Sequence, residues 1–181
     1  MKKVLLFICC LFATMTALAD SAVKSGNASV LKEAGANFSV EIDFTHAKIE
    51  DKSYKAYLKT RDEEWNQEWP GLVEEGRKAF IKAWNGKNKK GMTAVTGKTA
   101  PYRLVIKPSD MNLGNLAMSY FIGFGAGGMK MSGTIELYKG SKKVLVISVK
   151  DQTGRGTKEK ARIKSLFKEL AQDTYEDVVK K

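Results

Sequence analysis

Hydrophobic and polar positions alternate over the stretch NFSVEIDFT, with Phe38, Val40, Ile42 and Phe44 on one parity and Ser39, Glu41 and Asp43 on the other. A period of two marks a strand with one buried face. YRLVIKPSD repeats the pattern through Tyr102, Leu104 and Ile106, with Pro101 and Pro108 bracketing it. In MKMSGTIELY, Met129, Met131, Ile135 and Leu137 share one parity and Lys130, Ser132, Thr134 and Glu136 the other. The turn sequence KGSK then leads into KVLVISVKD, which is apolar on both parities. The pair reads as a β-hairpin whose return strand is central in its sheet.

Two segments change period. In RDEEWNQEWPGLVEEGRKAFIKAWNGKNKKG, Trp69, Leu72, Val73, Phe80 and Trp84 fall on one helical stripe. Acids crowd its beginning and lysines its end, as the helix dipole favours. Pro70 fits a first turn, Gly86 a C-terminal stop, and Gly76 a close approach to a sheet. Near the end of the chain, Ile163, Leu166, Phe167, Leu170, Thr174 and Val178 form a second stripe. Ile49, Tyr54, Tyr57 and Leu58 fit either a loop or a short strand. The order strand, helix, strand, hairpin, helix predicts an α+β two-layer sandwich. Its mixed sheet would have four to five strands, with two amphipathic helices on one face.

The first residues, MKKVLLFICCLFATMTALAD, show a basic start, an apolar run and Ala17-Leu18-Ala19. They read as a signal peptide over residues 1–19, cleaved after Ala19, rather than as a membrane span. Residues 20–36 read as a flexible leader with at most a short extended piece at 29–32, and residues 37–181 as one domain. Cys9 and Cys10 both lie in the signal peptide, so the mature chain offers no disulfide and no thiolate metal ligand. No later segment approaches the apolar length of a transmembrane helix. The expectation is a periplasmic or secreted protein.

The formal net charge is +11, of which Lys2 and Lys3 supply two. In an exported chain this charge turns attention from nucleic acid to anionic envelope components or an acidic partner. It is mostly lysine. Planar forks for phosphate come from Arg61, Arg77, Arg103, Arg155 and Arg162.

The segment FIGFGAGGMKMSG invites a phosphate-binding reading, but a strand pattern follows it where a phosphate cradle needs a helix N-terminus. Its glycines suit a bulge, a turn or close backbone approach. Alternatively, Gly123, Gly125, Gly127 and Gly128, with Lys130, form a partner-binding edge. GKT at residues 97–99 has no helix after it and its upstream glycine is misplaced, which excludes a nucleotide loop. His46, the single histidine, follows a strand end near Asp43, with no nucleophile motif beside it. Trp65, Trp69 and Trp84 suit core packing, and a sugar platform is the alternative for Trp65. Asp62, Glu63, Glu64 and Glu68 read as the acidic start of a helix, so no metal or other cofactor is expected.

The segment GFGAGGMKMSGTIELYKGSKKVLVISVKDQTGRG, followed by a helix ending in LFKELAQD, resembles a group of uncharacterised exported proteins and lipoproteins of Gram-negative envelopes. The proposed architecture of that group is similar to the amino-terminal α/β domain of TolB. The resemblance runs from about Phe38 to the end and implies an envelope role in binding protein or surface components, with no catalytic residues to carry over. This chain lacks the acylated cysteine of the lipoprotein members. Two functional readings follow. The first is a non-catalytic exported binding or assembly module for an envelope protein or an anionic envelope component. The second is a small-ligand or glycan binder or hydrolase using His46 and Trp65.

Overall fold

The structure is a computed structural model that describes residues 20–97, 99–115 and 127–181. Its strands are β1 (Asp20–Gly26), β2 (Asn37–Ile42), β3 (Lys48–Ile49), β4 (Lys52–Ser53), β5 (Thr93–Val95), β6 (Tyr102–Asn112), β7 (Met129–Lys139) and β8 (Lys142–Gly154). Its α-helices are α1 (Tyr54–Leu58), α2 (Glu63–Lys87) and α3 (Glu159–Thr174), the last running into a π-helical turn at Tyr175–Val179. The strands form one mixed sheet in the order β1-β8-β7-β6-β2-β5. β1, β8, β7 and β6 are antiparallel, whereas β2 is parallel to both β6 and β5. β3 continues the β2 side of β6 at Asp110 and Met111 and pairs with β4.

The sheet has eight described strands rather than four to five. Much of the difference comes from pieces too short or too polar to show a period. β3 and β4 have two residues each and β5 has three. β1 reads DSAVKSG, and only Ser21 in it is buried, so it carries no apolar stripe. The expected flexible leader is thus largely a strand paired with β8, and residues 28–32 form a 3₁₀ turn in place of an extended piece.

The alternation seen in the sequence sets the layers. Leu104, Leu137 and Leu145 align across β6, β7 and β8, as do Ile106, Ile135 and Ile147, and all six are buried. The two long helices lie over this parity. Trp84 meets Phe38 of β2 edge-on at 5.3 Å, and its indole N–H donates to the Met92 carbonyl at 2.8 Å. α3 delivers Ile163, Leu166, Phe167 and Leu170 to the same core. Glu75 pairs with Lys164, and Lys87, further along α2, pairs with Glu176 beyond α3, so the helices run in the same direction.

Four local expectations change. α2 begins two turns before Pro70, at Asp62, whose carboxylate accepts the Trp65 N–H at 2.8 Å. That side-chain cap fixes the start, and Pro70 sits inside the helix. Gly86 also lies within α2, which ends at Lys87 with Asn88 as its C-cap. Gly76 admits the other helix instead of the sheet, because a Cβ there would stand 2.4 Å from Phe167 Cδ2. Pro108 does not end β6. It sits opposite Gly133, where the register shifts and a missing N–H is tolerated. A side chain at Gly133 would meet the Lys107 carbonyl at 2.2 Å, which is the close backbone approach glycine permits.

Candidate functional site

The feature that reads most directly as a binding site is the outer edge of β2. In parallel pairing, a residue's N–H and C=O point to one side and its neighbour's to the other. The Ala36 carbonyl accepts from Thr93 on the β5 side, and the Asp43 N–H donates to the Ile106 carbonyl on the β6 side. Even positions of β2 therefore face outward. β5 ends at Val95, opposite Ser39, whereas β2 runs on to Ile42. The Val40 carbonyl and both Ile42 backbone groups thus project from an edge that has no strand partner among the described residues.

This edge opens into a cleft of about 760 Å³ with two different walls. Tyr54, Trp69, Pro70 and Val73 supply an aromatic and aliphatic wall on the helix side. Trp69 Nε1 donates to the Tyr54 hydroxyl at 3.1 Å, and Phe44 stacks on Tyr54 at 5.5 Å, so the rings are held in place. Arg77 closes one end. It grips Glu74 through two hydrogen bonds of 2.7 Å and donates to the Thr96 carbonyl at 3.3 Å. The hydrogen bond from Arg77 keeps the Glu74 carboxyl below its ordinary range, so the pair stays charged.

The second wall belongs to the sheet face turned away from the helices. Arg103, Val105, Lys107 and Tyr138 line it. Behind them sits Glu136, 8% exposed, with Lys107 Nζ and Lys143 Nζ each 2.8 Å from its carboxylate and the Tyr138 hydroxyl donating to it as well. Burial pushes the Glu136 carboxyl up, but these three donors outweigh it and hold it at about 2. The guanidinium of Arg103 lies 4.7 Å from the Tyr138 ring centroid and pairs with Glu41 at 2.9 Å. No period or motif announced this network, since its members come from three strands. The alternation did place Glu136 off the core parity.

The residues singled out from the sequence do not converge. Gly123 and Gly125 lie outside the described residues. Gly127 takes φ +71° and packs its carbonyl against Gly114, so geometry accounts for it, and Gly128 lies beside it in the same contact. Lys130 is exposed, but its backbone lies between Asn112 and Thr153 on an interior strand, so the hairpin is not an open edge. His46 is exposed on a turn. Asp43 is engaged by Thr45, whose side chain and backbone N–H hold its carboxyl low, and no hydrogen bond or ion pair joins it to His46 among the described residues. Trp65 is buried, stacked on Trp69 at 4.8 Å, covered by Arg61 at 4.6 Å and bonded through Nε1 to Glu159 at 3.1 Å. It is a packed ring, with no free face for a sugar. None of the clefts described is lined by both His46 and Trp65. Arg162, a candidate phosphate fork, is 1% exposed and spends its donors on the carbonyls of Gly156, Leu113 and Asn115.

Among the described residues no group of three or more His, Cys, Asp or Glu is placed to hold a metal ion, and no helix is long and apolar enough to cross a membrane. No family model and no curated protein matches the chain. Two solved structures that resemble it are a PelC dodecamer and a single-site variant of that dodecamer, both from Paraburkholderia phytofirmans. Each is 11% identical to this chain, over 89% of it and 98% of the PelC chain, with TM-scores of 0.45 and 0.43. Similarity at this level transfers neither a role nor an assembly state.

Proposed function

We propose that the chain is a non-catalytic, exported binding module that takes an extended segment of an envelope protein along the outer edge of β2. The export step rests on the pattern of residues 1–19, and the envelope setting on the resemblance to the TolB-like group. One observation carries the reading of the site: a strand edge without a partner among the described residues opens directly into a cleft with a fixed aromatic wall. Strand addition needs both parts, main-chain groups for affinity and pockets for alternate side chains. The mixed second wall, with Arg103, Lys107 and Glu41, would set the register of the added strand.

The test begins with a photo-crosslinking residue in place of Glu41, on the full chain in its native envelope. The expected result is one dominant cross-linked envelope protein, identified by mass spectrometry. Ile42→Pro should abolish that cross-link, because it removes an outward N–H while β2 keeps its bonds to β6. Val73→Asp, on the cleft wall, should weaken it with the same direction of effect. Capture that survives both substitutions in proteins with unchanged far-UV circular dichroism would overturn the assignment.

A further inference from the structure

The outer surface of the helix layer carries a different signal. Where α2 and α3 run side by side they leave a groove of about 620 Å³, floored by Ala79, Ala83 and Gly86. Lys78 and Lys82 stand on the α2 wall, Lys164 and Lys168 on the α3 wall, and all four are exposed. Acidic compensation is thin. Glu75, itself on the groove lining, is shared by Lys78 at 3.8 Å, Lys160 at 4.0 Å and Lys164 at 3.4 Å, and Lys168 reaches its sequence neighbour Glu169 at 3.3 Å. Lys82 makes no ion pair with any described residue. Like charges facing one another across a groove repel, and an anion placed between them removes that cost.

We infer that this groove binds a linear acidic polysaccharide laid along the two helices. Four features of the surface select that occupant. The small floor residues make a channel between two charged walls, which suits a thread more than a plane. A bilayer would touch lysine tips alone, and interfacial binding needs apolar side chains to insert. The sole large hydrophobic residue found exposed among the described residues is Val23, on β1, which is not among the residues lining the groove. No aromatic side chain lines the groove, so it offers no platform for stacked bases. Lysine presents point charges on flexible stems, which can follow carboxylates spaced along a polymer, and Ser165 and Gln172 add groups for hydroxyls.

This inference is independent of the β2 edge and fails or stands without it. The experiment titrates the protein with oligogalacturonate at low ionic strength, followed by calorimetry. Uncharged dextran, polyphosphate, oligothymidylate and phosphatidylglycerol vesicles serve as parallel arms. The groove variant carries Lys82→Glu, Lys164→Glu and Lys168→Glu. A matched variant carries Lys24→Glu, Lys142→Glu and Lys150→Glu, exposed lysines on β1 and β8, so both lose the same charge. The expected outcome is saturable binding of oligogalacturonate and none of dextran, about tenfold weaker in the groove variant and within about twofold of the parent in the matched one. Equal weakening in both variants would reduce the effect to net charge and overturn the site. No binding of oligogalacturonate would overturn the proposal outright. Groove-dependent binding that is tighter for polyphosphate, oligothymidylate or vesicles would overturn the choice of a polysaccharide.

Discussion

Two carboxylates on opposite faces of the same sheet are treated in opposite ways. Glu136 belongs to the face without helices, yet two ammonium groups and a phenol surround it and hold its carboxyl at about 2. Asp173 lies on α3, over the helix-covered face, and accepts from Gln152 Nε2 at 3.0 Å. Burial raises its carboxyl above the ordinary value, the Gln152 hydrogen bond works against that rise, and neighbouring Glu169 and Asp177 add to it. The difference lies in the means of sealing. The helix face is closed by shape, and Asp173 there has one neutral side-chain donor to set against desolvation, where Glu136 has three donors, two of them cations. The open face closes itself with long side chains: Val105, on that face, is 3% exposed with no helix above it. Charge pairing therefore stabilises the open face, where water still reaches the lysines, and disfavours the covered one.

The largest way to break the contrast is to remove shape from the covered face. Phe167 fills the space that Gly76 leaves, and it is 0% exposed. Phe167→Ala should cost about 4 kcal/mol of unfolding free energy, measured by urea denaturation. Most of that loss should persist at every pH, because it is a cavity and not a charge. A loss below about 1 kcal/mol would show that the helix pair is not tightly packed.

Glu136→Gln tests the open face and should cost about 2 kcal/mol at neutral pH, since it removes a charge that three donors satisfy. The pH dependence has a definite sign. The folded-state value, about 2, lies below the ordinary 4.5, so the stabilisation is complete above the ordinary value and disappears as pH falls towards about 2. Acid unfolding of the parent should therefore be steeper in that window than that of the variant. Identical acid profiles would mean that the lysines and Glu136 do not couple.

The same contrast explains what could be read in the sequence. The apolar parities of β2, β6 and β7 and the stripes of α2 and α3 were legible because burial on one face imposes a period. The hairpin was legible because its turn is a two-residue loop with Gly140 at φ +58°. β1 was not, because its only buried residue is a serine and its strand character comes from pairing with β8. The β2 edge could not be seen either. An edge is defined by where a neighbour stops, and β5 stops after three residues. The lysines at 78, 82, 164 and 168 were visible as charge, but only the parallel packing of two helices far apart in sequence turns them into a groove.

The smallest expected effect sharpens the comparison most, because it should have the opposite sign. Asp173→Asn keeps an oxygen to accept from Gln152 and removes the charge that burial disfavours. Its folded-state value is raised above the ordinary 3.8, so the stability this gives is fully present below the ordinary value and is lost as pH rises through the folded-state value. The variant should be more stable than the parent by about 0.5 kcal/mol at pH 7 and indistinguishable from it below the ordinary carboxylate range. Gln152 Oε1, on the side chain that contacts Asp173, and Thr174 Oγ1, on the next residue of the chain, are both buried and without a hydrogen-bond partner among the described residues. The new amide also brings two donors to that seam, which favours the same direction. A loss of stability at pH 7 would mean that the Asp173 carboxylate is satisfied where it stands, and the two faces would then differ in shape but not in how they treat charge.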